Sequence, residues 1–363
     1  MIIRSLDLYN FRNYKKESFV FDPGTNILYG DNAQGKTNAL EALFVGCTTK
    51  SHKGSKESEL INKDSEEAHI RYISEKNERQ TKVEIHLKKR GTKGIAIDGL
   101  PIKKANEILG VCHVVFFSPE DLSIIKDGPE VRRRFIDIEL CQLNKAYLYN
   151  INNYRKNLKQ RNALLKQISD KPNLKETLEI WNAGLVEAGK KIIKIRKQFI
   201  LELNELMREK HSKLTGGKEN INLRYVNNVS EESFEEKLFF AQDRDIYQGT
   251  TTVGPHRDDL AFLNGDEDIR KFGSQGQKRT AALSLKLSEI ELVERMIGDK
   301  PVLLLDDVLS ELDRNRQNFL LEQIQGIQTI ITCTGLEEFV KKGIGINKVF
   351  HIVDGRSVEE NQK

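Results

Sequence analysis

Apolar and polar positions alternate from Ile3 to Phe11 and again from Ser18 to Phe21, the period of two expected of half-buried strands. Pro23-Gly24 marks a turn, and Asn26 to Tyr29 reads as a short strand. A helix is expected from Gly35 or Lys36, carrying Leu40, Leu43 and Phe44 inward. Thr48 to Ser58 is a polar, basic loop. Lys82 to Lys88, Gly94 to Asp98 with an Asp98-Gly99 turn, and Val111 to Phe117 read together as an antiparallel meander.

The pattern then changes. Ser118-Pro119-Glu120-Asp121 places a serine cap, a proline at the first helical position and acids in the first turn. Asp127-Gly128-Pro129-Glu130 repeats that order and predicts a long helix. Further on, Ile151, Tyr154, Leu158, Leu165 and Ile168 form one seam, interrupted by Arg161, before residues Ser169 to Asn173 turn the chain. The return seam, Leu174, Leu178, Trp181, Leu185, Ala188, Ile192, Ile195 and Phe199, alternates steps of four and three as a coiled coil does. An antiparallel hairpin over residues 131–214 is expected, with arms of about 40 residues and roughly 60 Å at 1.5 Å per residue. Two helices of a compact lobe satisfy the same pattern. After Gly216-Gly217, strands are expected over Asn222 to Val226 and Leu260 to Leu263, with an amphipathic helix over Glu231 to Ala241. A helix follows from Ser274 to about Met296, then a buried strand from Pro301 to Asp306, and another strand over Thr329 to Thr334.

Composition narrows the class. A chain of 363 residues suits about two domains. Mean hydropathy is −0.52, and the longest apolar runs, such as Val114 to Phe117, are strand-sized, so no membrane span is expected. Met1-Ile2-Ile3-Arg4 leads straight into a strand pattern, with no secretory leader expected. Four cysteines without CxxC spacing, and seven histidines with no ligand pair at helical or turn spacing, fit a reducing cytosol and no purely protein-held metal. Net charge is only +4, yet Val131 to Leu214 holds 19 Lys and Arg against 9 Asp and Glu. That segment could face phosphate backbones or be an ordinary solvated helical face.

The chemistry sits in three motifs. Gly30-Asp31-Asn32-Ala33-Gln34-Gly35-Lys36-Thr37 fits the Gly-x-x-x-x-Gly-Lys-Thr phosphate loop. In such a loop glycines let backbone N–H groups approach the phosphates, Lys36 reaches the β and γ oxygens, and the Thr37 hydroxyl ligates Mg2+. Ser274-Gln275-Gly276-Gln277 opens a helix and offers Ser274, Gly276 and Gln277 as a second anion-binding element. Val302 to Asp307 is an apolar run ending in two acids, which delivers carboxylates to the C-terminal edge of a parallel sheet. Asp306 is the expected Mg2+ ligand beside Thr37, and Asp307 the group that orients or deprotonates the attacking water. The cofactors expected are ATP and Mg2+, with Lys36, Asp307 and Ser274 catalytic.

These motifs, with Ser310-Glu311-Leu312-Asp313, resemble in order the Walker A, signature, Walker B and D-loop elements of ABC/SMC head ATPases. A narrower resemblance, to the RecF family, rests on Leu8 to Tyr14, Ser51-His52-Lys53, Phe117 to Leu122, and Gly254-Pro255-His256-Arg257-Asp258-Asp259-Leu260. It spans nearly the whole chain. The fold it implies is an α/β P-loop ATPase head, residues 1–118 with 246–363, carrying an antiparallel meander. A mainly helical lobe over 119–245, with its short hairpin, is inserted into it.

The resemblance also implies a mechanism. ATP would be held between the phosphate loop of one subunit and the signature loop of another, giving a homodimer in the ATP state. It implies a weak, DNA-stimulated ATPase in the cytoplasm, acting on duplex DNA or single/double-strand junctions with RecR and RecO and without a membrane. Candidate DNA contacts are Lys50, His52, Lys53 and Lys56 after the phosphate-loop helix, and Arg132, Arg133, Arg134, Arg155, Lys156 and Lys159 in the basic segment. Arg12 and Asn13 are phosphate or adenine candidates by resemblance and end-of-strand residues by pattern. Two departures from the wider class stand out: Asp307 replaces a glutamate, and Thr332 stands where transporters place a histidine. A small-molecule P-loop kinase and a non-DNA ABC-type ATPase subunit are the competing readings. A scaffold would leave Lys36 and Asp306 without a role.

Overall fold

A computed structural model describes residues 1–168, 170–336 and 345–358; Ser169, in the expected turn, lies outside them. The chain divides into two compact units, Met1–Asp121 with Glu289–Lys363, and Leu122–Ser288. This division differs from the expected one, 1–118 with 246–363 and 119–245, chiefly at the second boundary, residue 288 against 245.

The first unit opens with strands β1 (Ile2–Phe11), β2 (Tyr14–Val20) and β3 (Thr25–Tyr29), then helix α1 (Lys36–Thr48), β4 (Glu67–Lys76), β5 (Arg79–Lys88), β6 (Gly94–Ile97), β7 (Leu100–Pro101) and β8 (Val114–Phe117). Six of these form an antiparallel sheet in the order β2-β1-β4-β5-β6-β7. Its inward row includes Leu6, Leu8, Ala68, Ile70, Tyr72, Val83, Ile85 and Leu87, all buried. β4 falls in a stretch where no strand was expected; its buried positions are the mixed set Ala68, Ile70, Tyr72 and Ser74. The meander expectation fails for Val114–Phe117. All four residues are buried; a strand covered on both faces suits a parallel sheet, and this one pairs in parallel with residues 302–305 at the edge of the second sheet.

The second unit holds α2 (Leu122–Lys126), α3 (Pro129–Leu143), α4 (Lys145–Ile168), α5 (Leu178–Thr215), β9 (Ile221–Val226), α6 (Phe234–Phe240), α7 (Gln242–Gln248), β10 (Asp259–Asn264), β11 (Glu267–Asp268) and α8 (Ile269–Phe272). Strands β11, β10 and β9 make a three-stranded antiparallel sheet. The long first arm is split at Asn144, whose extended backbone ends α3 and whose Oδ1 accepts from Tyr147 N at 2.8 Å, capping α4. The return arm is a single helix of 38 residues. Its flanks are covered: α5 packs on α4, α6 and β9, and α4 on α7. At the tip, Leu165, Ile168 and Leu178 pack with Leu164, Leu174 and Ile246. The hairpin is thus embedded in a compact lobe. Arg161, which interrupts the seam, is fully buried; it donates to Asp245 at 2.7 Å, Thr251 Oγ1 at 2.8 Å and Asn182 Oδ1 at 2.7 Å.

Helix α9 (Gln275–Ile297) continues the chain to β12 (Val302–Asp306), α10 (Arg314–Gln323), β13 (Thr329–Cys333), β14 (Lys348–Val353) and β15 (Arg356–Val358). The second six-stranded sheet runs β15-β14-β3-β13-β12-β8, parallel except for the β14–β15 hairpin. β13 lies between β3 and β12, and the register aligns Asp306 with Thr332 and Thr332 with Leu28. The loop after β3, the last residues of β13 and the acids of β12 therefore meet at one C-terminal edge, where open parallel sheets bind ligands.

Candidate functional site

Residues 30–35 leave β3 and curl into α1. Gly30 (φ 146°) and Gly35 (φ 118°) adopt backbone that side chains rarely tolerate. A Cβ on Gly30 would lie 2.4 Å from the Ile352 carbonyl oxygen, and one on Gly35 2.6 Å from Asn13 Nδ2. Ala33, with φ 64°, also sits in the left-handed region. Lys36 is buried, and its Nζ donates to the Gly30 and Asp31 carbonyls at 2.6 and 2.7 Å, so the loop wraps round the ammonium. Burial lowers the Lys36 pKa against the pull of Asp307, Asp306 and Asp31. Asp31, Asn32 and Ala33 form an exposed rim.

The Thr37 hydroxyl donates to Asp306 Oδ1 at 2.8 Å, and Thr332 Oγ1 donates to the same oxygen at 2.7 Å. Thr332 Oγ1 in turn accepts the Asp307 N–H at 3.0 Å. Asp307 has φ 51°, a strained conformation of the kind that collects at functional sites. Ser310 braces it, donating to its carbonyl at 2.7 Å with Oδ1 3.1 Å away. A hydroxyl and a carboxylate in mutual contact form a hard oxygen set, which fits Mg2+ bound by one carboxylate together with phosphates. Sequence reasoning singled out Thr332 only as a substitute for histidine; the structure places it on both acids.

Other supports were not legible. Asn13 Nδ2 donates to the Gln34 carbonyl at 2.8 Å and its Oδ1 accepts from Asn38 at 2.8 Å. The Tyr14 hydroxyl donates to the Gly35 carbonyl at 3.0 Å. From the β14–β15 turn, Asp354 N donates to Gln34 Oε1 at 2.6 Å and Gly355 N to its carbonyl at 3.0 Å. Arg12 is engaged at all three nitrogens: with Glu41 at 2.8 and 3.0 Å, Ser55 at 2.7 Å and the Glu59 carbonyl at 2.8 Å. Burial raises the pKa of Glu41, but hydrogen bonds from Arg12 and Ser51 outweigh it and hold the carboxyl below its usual range. Arg12 clamps the middle of α1, through Glu41, to the Ser55–Glu59 segment, and Asn13 braces the loop backbone.

In the second unit, Ser274 and Gln277 form a reciprocal cap at the start of α9. Ser274 N donates to Gln277 Oε1 at 2.8 Å, and Gln277 N to Ser274 Oγ at 3.2 Å. Ser274 and Gly276 are exposed and Gln277 is partly buried.

Of the basic candidates, Lys50, Lys53 and Lys56 are exposed. His52 instead stacks on Phe116 at 4.0 Å and meets Phe44 edge-on. Arg132 must be corrected. It is 1% exposed and donates to Asp259 at 2.6 and 3.1 Å and to the Ile124 and Asp127 carbonyls, so it holds α3 in the lobe and cannot reach a phosphate backbone. Arg133 is partly buried and donates to the Asp258 carbonyl at 2.8 Å; burial and then the nearby Arg196 lower its pKa. Arg134 is half-buried, and Arg155 pairs with Asp137 at 2.6 Å.

The Gly254 to Leu260 string belongs to a buried polar hub. Asp258, 1% exposed, accepts from Arg196 at 3.0 Å, from Asn228 N at 2.8 Å and from the Tyr225 hydroxyl. Arg196 also donates to Asp137 at 2.8 Å, to the Pro255 carbonyl at 2.7 Å and to the Tyr147 oxygen at 2.9 Å. His256 donates from Nε2 to the Thr251 carbonyl at 2.9 Å and accepts the Tyr154 hydroxyl on Nδ1 at 2.6 Å. Burial lowers its pKa to about 4, so it is a neutral structural group.

Three comparisons bear on this geometry. The profile of a family described as RecF/RecN/SMC N terminal domain matches residues 2–357. Proteins named DNA replication and repair protein RecF from Agathobacter rectalis and Lachnoclostridium phytofermentans are 57% and 58% identical over 356 and 355 residues. The alignments cover 98% of this chain in each case, and 98% and 99% of the relatives. A solved structure described as the recombination mediator protein RecF-ATP in the RecFOR pathway superposes with a TM-score of 0.92 at 38% identity, covering 99% of this chain and 97% of that one. An Smc head bound to the C-winged helix domain of ScpA, at 16% identity and a TM-score of 0.56, covers 98% of this chain and 96% of its own and shares the fold.

Proposed function

We propose, from the premise that this chain belongs to the RecF family within the RecF/RecN/SMC group, that it is an ATP-binding recombination mediator of DNA replication and repair whose hold on DNA is gated by nucleotide. The observation that carries the ATP half of this reading is the hydrogen-bonded run Thr37–Asp306–Thr332–Asp307 at the sheet edge. Lys36 and the backbone N–H groups of residues 30–37 bind the β and γ phosphates. Thr37 and Asp306 hold Mg2+, which when bound offsets the negative charge of the phosphates. Asp307 orients and deprotonates the attacking water; one methylene shorter than the glutamate of the wider class, it gives slow turnover.

Ser274 and the Gly276 backbone form an exposed helix N-terminus, half of an anion site. A second copy completes it, so ATP favours the dimer and hydrolysis releases it. Lys50, Lys53 and Lys56 face DNA in the dimer, and the RecFOR pathway in which the RecF-ATP structure is described supports RecO and RecR as partners. The test is retention on an immobilised gapped duplex. The wild type is retained with ATP and released with ADP, and Lys36→Met is retained with neither. Retention indifferent to nucleotide would reject the gating.

A further inference from the structure

Glu67, His69 and His86 lie outside every site described above. β4 alternates in and out, so Glu67 and His69, two residues apart, share its outward face while Ala68 and Ile70 are buried. In the register His69 pairs directly with His86 of β5, and Glu67 lies on the diagonal, opposite Lys88. Directly opposed residues hold their Cβ atoms about 5 Å apart and diagonal ones about 7–8 Å, within reach of an imidazole and a carboxylate.

The side chains do converge. The two imidazoles stack with centroids 4.1 Å apart and planes at 18°, and the Glu67 carboxylate contacts His86 Nε2. One ligating atom from each of the three residues lies within 4.8 Å of the others. Tyr9 of β1, paired with His69 in the register, tilts over that ring at 6.0 Å. His69 and His86 line an open groove of about 790 Å³ along the sheet face, so a cation can enter.

A stacked histidine pair with one carboxylate hydrogen bond is the plainer description of the same three residues, and it predicts no stoichiometric Zn2+. Two imidazoles and a carboxylate are the donor set of three-ligand zinc sites, which keep a fourth position open. We propose that Glu67, His69 and His86 form a Zn2+ site clipping β4 to β5, with its fourth position open to water or to a donor from another molecule. The ATP chemistry uses none of these residues.

The test uses untagged, full-length protein, stripped with a chelator and then equilibrated with Zn2+ alone, without nucleotide. One Zn2+ binds per chain at micromolar free metal and raises the melting temperature. Co2+ in its place gives the visible bands of four-coordinate cobalt. His86→Gln and, separately, Glu67→Gln weaken binding by more than about ten-fold, the least expected when a ligand is removed outright, while both variants still bind ATP. Absence of stoichiometric Zn2+, or binding unchanged in both variants, overturns the site.

Discussion

The Thr37 hydroxyl and the Asp306 carboxylate are hydrogen-bonded at 2.8 Å, although 269 positions separate them in the chain. That bond joins the phosphate loop to the end of β12 and brings together the two groups proposed to hold Mg2+. It also separates the roles of the two neighbouring acids. Asp306 faces Thr37, whereas Asp307 is turned by its positive φ and held by Thr332 and Ser310.

Asp307→Asn therefore keeps ATP binding and loses hydrolysis, by about 10²-fold or more if Asp307 is the general base. Single-turnover hydrolysis beside equilibrium ATP binding measures the two separately. A variant that binds and hydrolyses normally places the base elsewhere.

Arg161 and Asp245 are both fully buried and paired at 2.7 Å. Arg161→Met leaves the aspartate charge buried and unpaired, and should cost about 3–5 kcal/mol in denaturant unfolding. The double substitution Arg161→Met with Asp245→Asn should recover a large part of that loss, because no uncompensated charge remains. Equal stability of the single and double variants would show that the pair acts through packing alone.

The acid limb of stability depends on His256. Its pKa falls from 6.5 to about 4 on folding, so below pH 6.5 the unfolded chain binds a proton that the folded chain refuses. The stability contributed above pH 6.5 is lost as pH drops towards 4, at up to about 1.4 kcal/mol per pH unit. His256→Gln should show a shallower loss across that window in urea unfolding. An unchanged slope would mean that the imidazole is protonated in the folded protein.

Replacing Lys53 and Lys56 together by Ala should flatten the salt dependence of DNA binding, by about 0.9 in log–log slope for each phosphate that the protein no longer neutralises. Arg132→Ala should leave that slope alone and lower stability, since Arg132 is spent on Asp259. Both effects are read in one salt titration with a parallel melt.

The placement of the phosphate-loop run and of the paired acids at strand ends was legible because their signals are local. Gly30 to Thr37 and Val302 to Asp307 each declare a strand end and a phosphate or carboxylate role within a short run of residues. What escaped was long-range pairing. The interruption of the seam at Arg161 became intelligible only with Asp245 beside it, 84 positions away. Val114–Phe117 read as a meander strand because its run is too short to show that both faces are covered. Asn144 gave no warning of the break between α3 and α4, since one asparagine serves as cap or surface residue equally well. The support of Gln34 by Asp354 and Gly355 is donated by backbone N–H groups, which carry no residue signature at all. The Gly254 to Leu260 string identified the family, but its acids and histidine fold inward as a structural hub.

The central claim is that ATP joins two copies through Ser274, and the mass of the protein in solution tests it most directly. By sedimentation with ATP and Mg2+ the wild type should double in mass relative to ADP, while Ser274→Arg should bind ATP and remain a monomer. A mass indifferent to ATP, or a Ser274→Arg variant that dimerises like the wild type, would contradict the account.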